Sequence, residues 1–286
     1  MKEFRQFCWL KLRVTASSIR QFWNGSRLRR TVVIGSAFVF WLLMLGMFLR
    51  VFDFLQQFGA LSDILTDYLF AFLFLALLVM MSISNGIICY TSFYRSDEAN
   101  FLMALPIPVQ HIFTYKGIES VLFSLWGMAM LVVPLILGYG IIHQAPWHFY
   151  PLSLSLALLF MGVPMELGAL IALFIPLVLP RRRTVVFLLL GIAAVSILTL
   201  WIGSFLGHQP SRLLTETGLK RVMDRIAFCQ HWALPSHWVS EGILSAMTNP
   251  HRSIFLLLLL LSNVLFVGMV SVRLGARWYG ASWARV

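Results

Sequence analysis

The chain has 286 residues, of which 59% are hydrophobic and 12% charged, and its mean hydropathy is +0.84. Soluble domains carry about a quarter charged residues, so this composition excludes an ordinary soluble protein and indicates a membrane protein. The three cysteines, Cys8, Cys89 and Cys229, are far apart in the sequence and predict neither a disulfide framework nor a metal site.

The first 30 residues predict an amphipathic helix that lies in the membrane interface. Apolar side chains share one face of this helix, with Phe4 and Trp23 as aromatic anchors, and basic residues such as Lys2 and Arg20 lie on the other. A helix packed on a soluble domain would show the same pattern, but the neighbouring sequence contains no soluble core to receive it.

Six apolar segments follow, each long enough to cross a hydrocarbon core of about 30 Å. Pro134 predicts a kink in the third segment, and the fourth, which contains Pro164 and Pro176, is too long for one straight crossing. No alternating strand pattern is present, so we predict an all-α polytopic membrane protein with residues 31–286 as its transmembrane domain. The spans are predicted at about residues 31–49, 68–90, 118–142, 151–179, 184–206 and 253–272.

A polar segment with two prolines, residues 94–116, separates the second span from the third. Ser96 or Asp97 suits the cap of a helix, and the acids that follow suit the positive end of the helix dipole. Pro106 prevents this helix from continuing, and Pro108 suits the first turn of another. The pattern predicts a helix of about eight residues across the membrane surface. An ordinary surface turn is the alternative.

The distribution of lysine and arginine predicts the orientation in the membrane. With a cytosolic N-terminus, the cytosolic segments carry eight, two, three and three of these residues, against one, none and five in the outer loops. We therefore expect both termini and the segment 94–116 on the cytosolic side of the plasma membrane. Topology then accounts for most of the net charge of +11, and no nucleic-acid partner is expected. The basic anchor after the fourth span consists of Arg181, Arg182 and Arg183.

The outer loop 207–252 predicts two amphipathic helices before the last span. The first carries apolar residues such as Leu219 and Ile226 on one side, and the second begins after Pro235 and ends at Asn249. These helices either form a lid over a lateral exit path or pack at the interface without a role in transport.

Motifs for catalysis are absent from the sequence. It contains no GxSxG, HExxH or CxxC pattern, and no lysine follows a glycine, so it lacks a Walker A phosphate loop. We therefore expect a protein that is not an enzyme and that needs no cofactor. Two groups are weak metal candidates because they contain no carboxylates: His143 with His148, and Cys229 with His231 and His237.

Glu166 is the only acid deep inside a predicted span, where a carboxyl group is costly. It either contacts substrate or carries protons beside the break at Pro164, or it is a structural group hydrogen-bonded to neighbouring spans. Glu119, near the cytosolic end of the third span, is expected to pair with Lys116 or to be hydrated.

The acidic start at Asp97, the run FLMALPIP at 101–108 and the lysine at 116 together resemble the type-2 ABC exporter permeases. In that family a similar segment forms the inner loop that seats on the ATPase subunit, and the predicted layout of the whole chain is similar as well. The resemblance implies that six residues contact or shape an ATPase-facing surface: Asp97, Glu98, Asn100, Phe101, Leu105 and Pro106.

The resemblance implies the membrane-spanning subunit of an ATP-driven exporter, with ATP hydrolysed by a separate cytosolic subunit. A second six-span unit is expected, either from a dimer or as the other half of a longer chain. Two alternatives stay open: a membrane assembly or anchoring protein, and a proton-coupled secondary transporter that uses Glu166. The apolar interior suits lipids, hydrophobic peptides and drugs alike, so the sequence does not select a substrate.

Overall fold

The computed structural model describes residues 27–104, 109–178, Ser196 and 227–284. All regular structure within these residues is helical and consists of eight α-helices and two short 3₁₀ turns. The helices are α1 (Arg27–Gln56), α2 (Ser62–Tyr94), α3 (Asp97–Ala104), α4 (Val109–Ile142), α5 (Phe149–Phe160), α6 (Gly162–Val178), α7 (Pro235–Thr248) and α8 (Pro250–Trp283).

Four stretches are long and apolar enough to cross a membrane, and they identify the protein as membrane-embedded. At 1.5 Å per residue, the 33 residues of α2 extend about 50 Å, which exceeds a hydrocarbon core of about 30 Å. Helix α8, with 34 residues, has about the same length. The four stretches are Thr31–Gln56, Ser62–Tyr94, Phe149–Leu177 and Pro250–Trp283.

These stretches coincide with the first, second, fourth and sixth predicted spans. The third predicted span falls within α4, of which Gly127–Ile142 is a shorter apolar stretch. The predicted fifth span, 184–206, lies outside the described residues except for Ser196. The N-terminal interfacial helix up to residue 26, the first helix of the 207–252 loop and the basic anchor at 181–183 also lie outside them.

The fourth span is interrupted, as its length and prolines predict. Helix α5 ends at Phe160 and α6 begins at Gly162, with a turn at Met161 between them. Pro164 has no N–H, so the Phe160 carbonyl lacks the helical hydrogen bond that it would otherwise accept. By contrast, α4 continues through Pro134 as one unbroken helix.

Helix α8 is longer than the sequence analysis predicted. Asn249 caps its start by accepting a hydrogen bond from the Arg252 N–H at 3.4 Å, and Pro250 occupies the first turn. The helix then continues eleven residues past the predicted end at 272, to Trp283. Arg273 and Arg277 lower the hydropathy of this extension, but both are exposed, and they lie on the face opposite to its buried side chains.

The apolar core consists of two clusters along the bundle. The larger one lies at the end that carries α7 and joins α1, α2, α4, α5, α7, α8 and the start of α6. The smaller one lies at the opposite end, which we call the α3 end. It combines the last turns of α2, α6 and α8 with α3 and the first turns of α4: Cys89, Tyr90, Phe93, Tyr94, Leu102, Ile112, Phe113, Ala169, Ala172, Leu173 and Tyr279.

Candidate functional site: the surface around α3

Helix α3 presents one face to the cluster and the other to the outside. Ala99 is fully buried and Leu102 is 3% exposed, and Met103 packs against the same cluster. Spacings of three and four residues place these side chains on one helical face. Phe101 is 65% exposed, and Asp97 is also exposed. An aromatic ring and an acid therefore occupy the free face of a firmly seated helix.

Ser96 joins the end of α2 to the start of α3. Its hydroxyl oxygen accepts a hydrogen bond from the Ala99 N–H at 3.1 Å, and its hydroxyl donates to the Ser92 carbonyl at 2.8 Å. The first contact is a helix cap, and the same Ala99 N–H also donates to the Ser96 backbone carbonyl at 3.0 Å. The second ties that cap to the last turns of α2.

The Glu98 carboxylate accepts hydrogen bonds from two side chains of α4. The Lys116 ammonium group donates to Glu98 Oε2 at 2.5 Å, and the Tyr115 hydroxyl donates to Glu98 Oε1 at 2.9 Å. The Lys116 side chain is only 2% exposed, whereas that of Glu98 is 45% exposed. Lys116 thus has Glu98 as a counter-ion. The pairing of Glu119 with Lys116 stays a prediction, because the Glu119 side chain lies outside the described residues.

Tyr279 of α8 forms the centre of the aromatic cluster beneath α3. Its ring centroid lies 5.6 Å from that of Tyr94, 5.7 Å from Phe93, 5.8 Å from Phe113 and 6.0 Å from Trp283. The Tyr279 hydroxyl donates to the Phe93 carbonyl at 2.9 Å. Phe93 is in the last turn of α2, where carbonyls lack helical partners, so Tyr279 satisfies one of them.

The sequence analysis missed the contribution of α8 to this end of the molecule. The signal was present as a periodic set of small and aromatic residues at the end of the predicted span and beyond it. These residues are Ser271, Gly275, Tyr279 and Ser282, and all are buried. The Ser282 hydroxyl is 2.7 Å from the Tyr94 hydroxyl, which adds a second polar contact between α8 and α2.

The residues predicted to form an ATPase-facing surface have different surroundings in the structure. Asp97 and Phe101 lie on the free face of α3, whereas the Glu98 carboxylate is engaged by α4. Asn100 belongs to α3, but its side chain is not described, and Leu105 and Pro106 lie outside the described residues.

Glu166 lies away from this surface, in the contact between α6 and α8. These helices run parallel, since Gly162 meets Val264 and the rings of Phe174 and Trp278 lie 5.3 Å apart. Between these contacts, a side chain at Gly268 would collide with Glu166 Oε1. Glu166 is 8% exposed, and its Oε2 has no hydrogen-bond partner within the described part of the chain.

The opposite end of the bundle contains a polar cavity of about 510 Å³ between α2, α4, α7 and α8. Asp63 and Asp67 line it from α2, and Glu241 lines it from α7. Glu241 forms an ion pair with Arg252 and lies 3.5 Å from His237 Nε2. Mixed charges within the same cavity therefore offset one another.

The histidines and the cysteine considered as metal ligands have other contacts in the structure. His143 stacks on Tyr139 with ring centroids 4.2 Å apart, and His231 stacks on Trp232. Cys229 is fully buried, and burial raises the pKa of its thiol. Within the described residues, no group of three or more His, Cys, Asp or Glu side chains is placed to hold a metal ion.

These observations define a helical membrane protein with a short helix at the surface of the bundle, between two long helices. The model of a family described as "Putative ATP-binding cassette" matches residues 22–286, and the chain belongs to this family. A comparison with curated proteins finds no match, and neither does a comparison with solved structures.

The family and the apolar helices together support an ABC-type transport context. The family description names the ATP-binding cassette, whereas this chain has no Walker A phosphate loop and has long apolar helices instead. The match therefore indicates an ABC-type transport context and does not by itself define the role of this chain within it.

Proposed function

We propose that the protein is the membrane-spanning permease subunit of an ATP-driven exporter in the cytoplasmic membrane. In this proposal both termini and α3 face the cytosol, and a separate ABC ATPase binds α3 and hydrolyses ATP. The chain itself is not an enzyme, and a second six-span unit, in a dimer or in a longer chain, completes the transport path.

The observation that carries this proposal is the exposure of Phe101 on a helix that is otherwise fixed in place. Exposed aromatic residues on a seated element are typical of contact surfaces between proteins, where they often dominate the binding energy. Phe101 is 65% exposed, while Ala99 and Leu102 on the same short helix are buried. Asp97 adds an acidic edge, so the surface suits an apolar groove with basic residues at its rim.

Force from the ATPase would act on a two-state bundle. Nucleotide can shift the balance between the two states only if the ATPase binds them with different affinity. Helix α3 is well placed for this, because it connects the long membrane helices α2 and α4 at one end. A displacement of α3 therefore acts on both helices at once.

Substitution of Phe101→Asp tests the docking surface. A charge in the centre of an apolar contact is expected to reduce ATPase co-purification in mild detergent at least about tenfold, with normal membrane insertion. Trp147→Asp is the matched control, since Trp147 is 81% exposed but lies in the turn between α4 and α5, at the opposite end.

Equal ATPase recovery with the wild type and Phe101→Asp would refute the docking surface. A good yield of wild-type protein with no ATPase would refute the permease assignment and favour an assembly or anchoring protein.

A second candidate function is proton-coupled secondary transport, and the position of Glu166 favours it. A carboxyl group at a helix contact, with one oxygen lacking a described partner, is the kind of intramembrane acid that often has a transport role. Transport that depends on a pH gradient and is abolished in a stable Glu166→Gln variant would favour this candidate over the ATP-driven one.

A further inference from the structure

Polar contacts that lie outside the docking surface connect α3 to α4. Glu98 lies on α3, and both its carboxylate oxygens accept hydrogen bonds from α4, from Lys116 and Tyr115. A buried ammonium group is costly unless it is paired, so the almost fully buried Lys116 favours an α3 position in which Glu98 stays close.

A second set of contacts joins the α3 end of α8 to α2. Tyr279 is fully buried, and its hydroxyl donates to the Phe93 carbonyl at 2.9 Å. The Tyr94 and Ser282 hydroxyls lie 2.7 Å apart. These contacts hold the last turns of α8 against the turn of α2 that leads directly into α3.

Helices α4 and α8 also pack closely against each other at the α3 end. A Cβ atom at Gly275 of α8 would lie 2.5 Å from Cδ1 of Phe113, so the Phe113 ring of α4 occupies the space above the glycine. Phe113 also contacts the Tyr279 ring. Close packing of this kind transmits a displacement of one helix to the other, because the contact has little room to deform.

We propose that Glu98, Lys116 and Tyr279 are positioning residues that make α3 move as one unit with the adjoining ends of α4 and α8. This inference rests on the proposed function, in which an ATPase displaces α3. It assigns Glu98 to transmission within the permease, in place of the contact with the ATPase that the family resemblance implied. In this inference, the last turns of α8 also move when the ATPase displaces α3.

Hydrogen exchange on the permease–ATPase complex tests this without knowledge of the substrate. The complex is reconstituted in lipid nanodiscs and compared with and without ATP plus orthovanadate. In the wild type we expect a nucleotide-dependent change in exchange at α3, at 109–117 and at 274–283. The Tyr279→Phe variant removes only a hydroxyl. In this variant the nucleotide-dependent change in exchange at 274–283 should be about fivefold or more smaller than in the wild type, whereas the change at α3 should be the same as in the wild type.

The Glu98–Lys116 contact is tested by Glu98→Gln, Lys116→Met and the double variant. Each single change should reduce the nucleotide-dependent change at 109–117 about fivefold or more, with ATPase co-purification unchanged. In the double variant, the nucleotide-dependent change at 109–117 should be no smaller than in the more strongly affected single variant, because both substitutions remove the same interaction. Tyr150→Phe is the control, since it removes a hydroxyl from α5 at the opposite end.

The outcomes separate this inference from the proposed function. If wild-type protein recovers no ATPase, the proposed function fails and the inference fails with it. If the ATPase binds every variant and the exchange changes match the wild type, only the inference is overturned. Loss of the ATPase from Glu98→Gln would make Glu98 a docking residue and would also overturn it. If the Lys116 variants do not fold, the Tyr279→Phe comparison still decides.

Discussion

Two charged residues, Lys116 and Glu166, are buried in the described part of the bundle, and their surroundings differ. Lys116 lies at the α3 end and has Glu98 as a counter-ion. Glu166 lies in the α6–α8 contact, and its Oε2 has no described hydrogen-bond partner. A buried charge with a partner is compatible with a structural role, whereas a buried carboxyl group without one is costly and calls for a functional test.

We expect Glu166→Gln to insert in the membrane at the wild-type level and to melt at the same temperature or slightly higher. Glutamine keeps the size of the side chain and removes a group that can ionise in an apolar contact. Thermal unfolding in detergent, together with the yield in membranes, measures this. A variant that fails to insert would show that the carboxyl group makes an essential structural contact.

At the scale of the helices, glycines decide how closely the membrane elements approach each other. Helices α2 and α6 are in contact where Gly168 faces Asn85 and Gly86. A Cβ atom at Gly168 would lie 2.6 Å from the Asn85 Cβ and 2.8 Å from the Gly86 backbone nitrogen. Small residues at such crossings let helix backbones meet, which is a common mode of packing in membranes.

The variant Gly168→Ala is expected to destabilise the protein by about 1–3 kcal/mol, because the added methyl group meets backbone that cannot move aside alone. The control is Gly46→Ala in α1, where nothing lies within 4 Å of an added Cβ. That change should be neutral or stabilise the helix by up to about 1 kcal/mol. Thermal unfolding of both variants in one detergent gives the comparison, and equal melting temperatures would contradict the α2–α6 crossing.

At the scale of the whole molecule, the two ends of the bundle differ in character. The α3 end combines an aromatic cluster with the exposed face of α3, and the opposite end contains a polar cavity with charges of both signs. The proposed orientation places the α3 end in the cytosol, where a soluble ATPase can reach it. Orientation can therefore be tested independently of any partner.

Single cysteines at two exposed positions test the orientation in the permease expressed alone. We expect Phe101→Cys to react with a membrane-impermeant maleimide in inside-out vesicles, and Trp147→Cys to react in intact cells. Cys8, which lies outside the described residues, is replaced by alanine. Cys89 and Cys229 are fully buried, and the raised pKa of the Cys229 thiol lowers its reactive thiolate fraction further. Labelling of both positions from one side would refute the proposed topology.

Much of the helical organisation could be predicted from the sequence because it depends on local properties. Long apolar runs predicted the four membrane-length stretches of the described residues, and the prolines near residue 164 predicted an interrupted fourth span. Ser96 and Asn249 cap the helices that follow them through hydrogen bonds to residues three positions away. Each of these features is encoded within a few turns of chain.

What the sequence by itself determined is a helical membrane protein with a polar, helix-starting segment between its second and third predicted spans. Only the tertiary structure decided that Glu98 faces Lys116 and that Tyr279 bonds the Phe93 carbonyl. The physical reason is that hydropathy and capping act between near neighbours. These contacts join residues 18 and 186 positions apart, and they depend on which helices the bundle brings together.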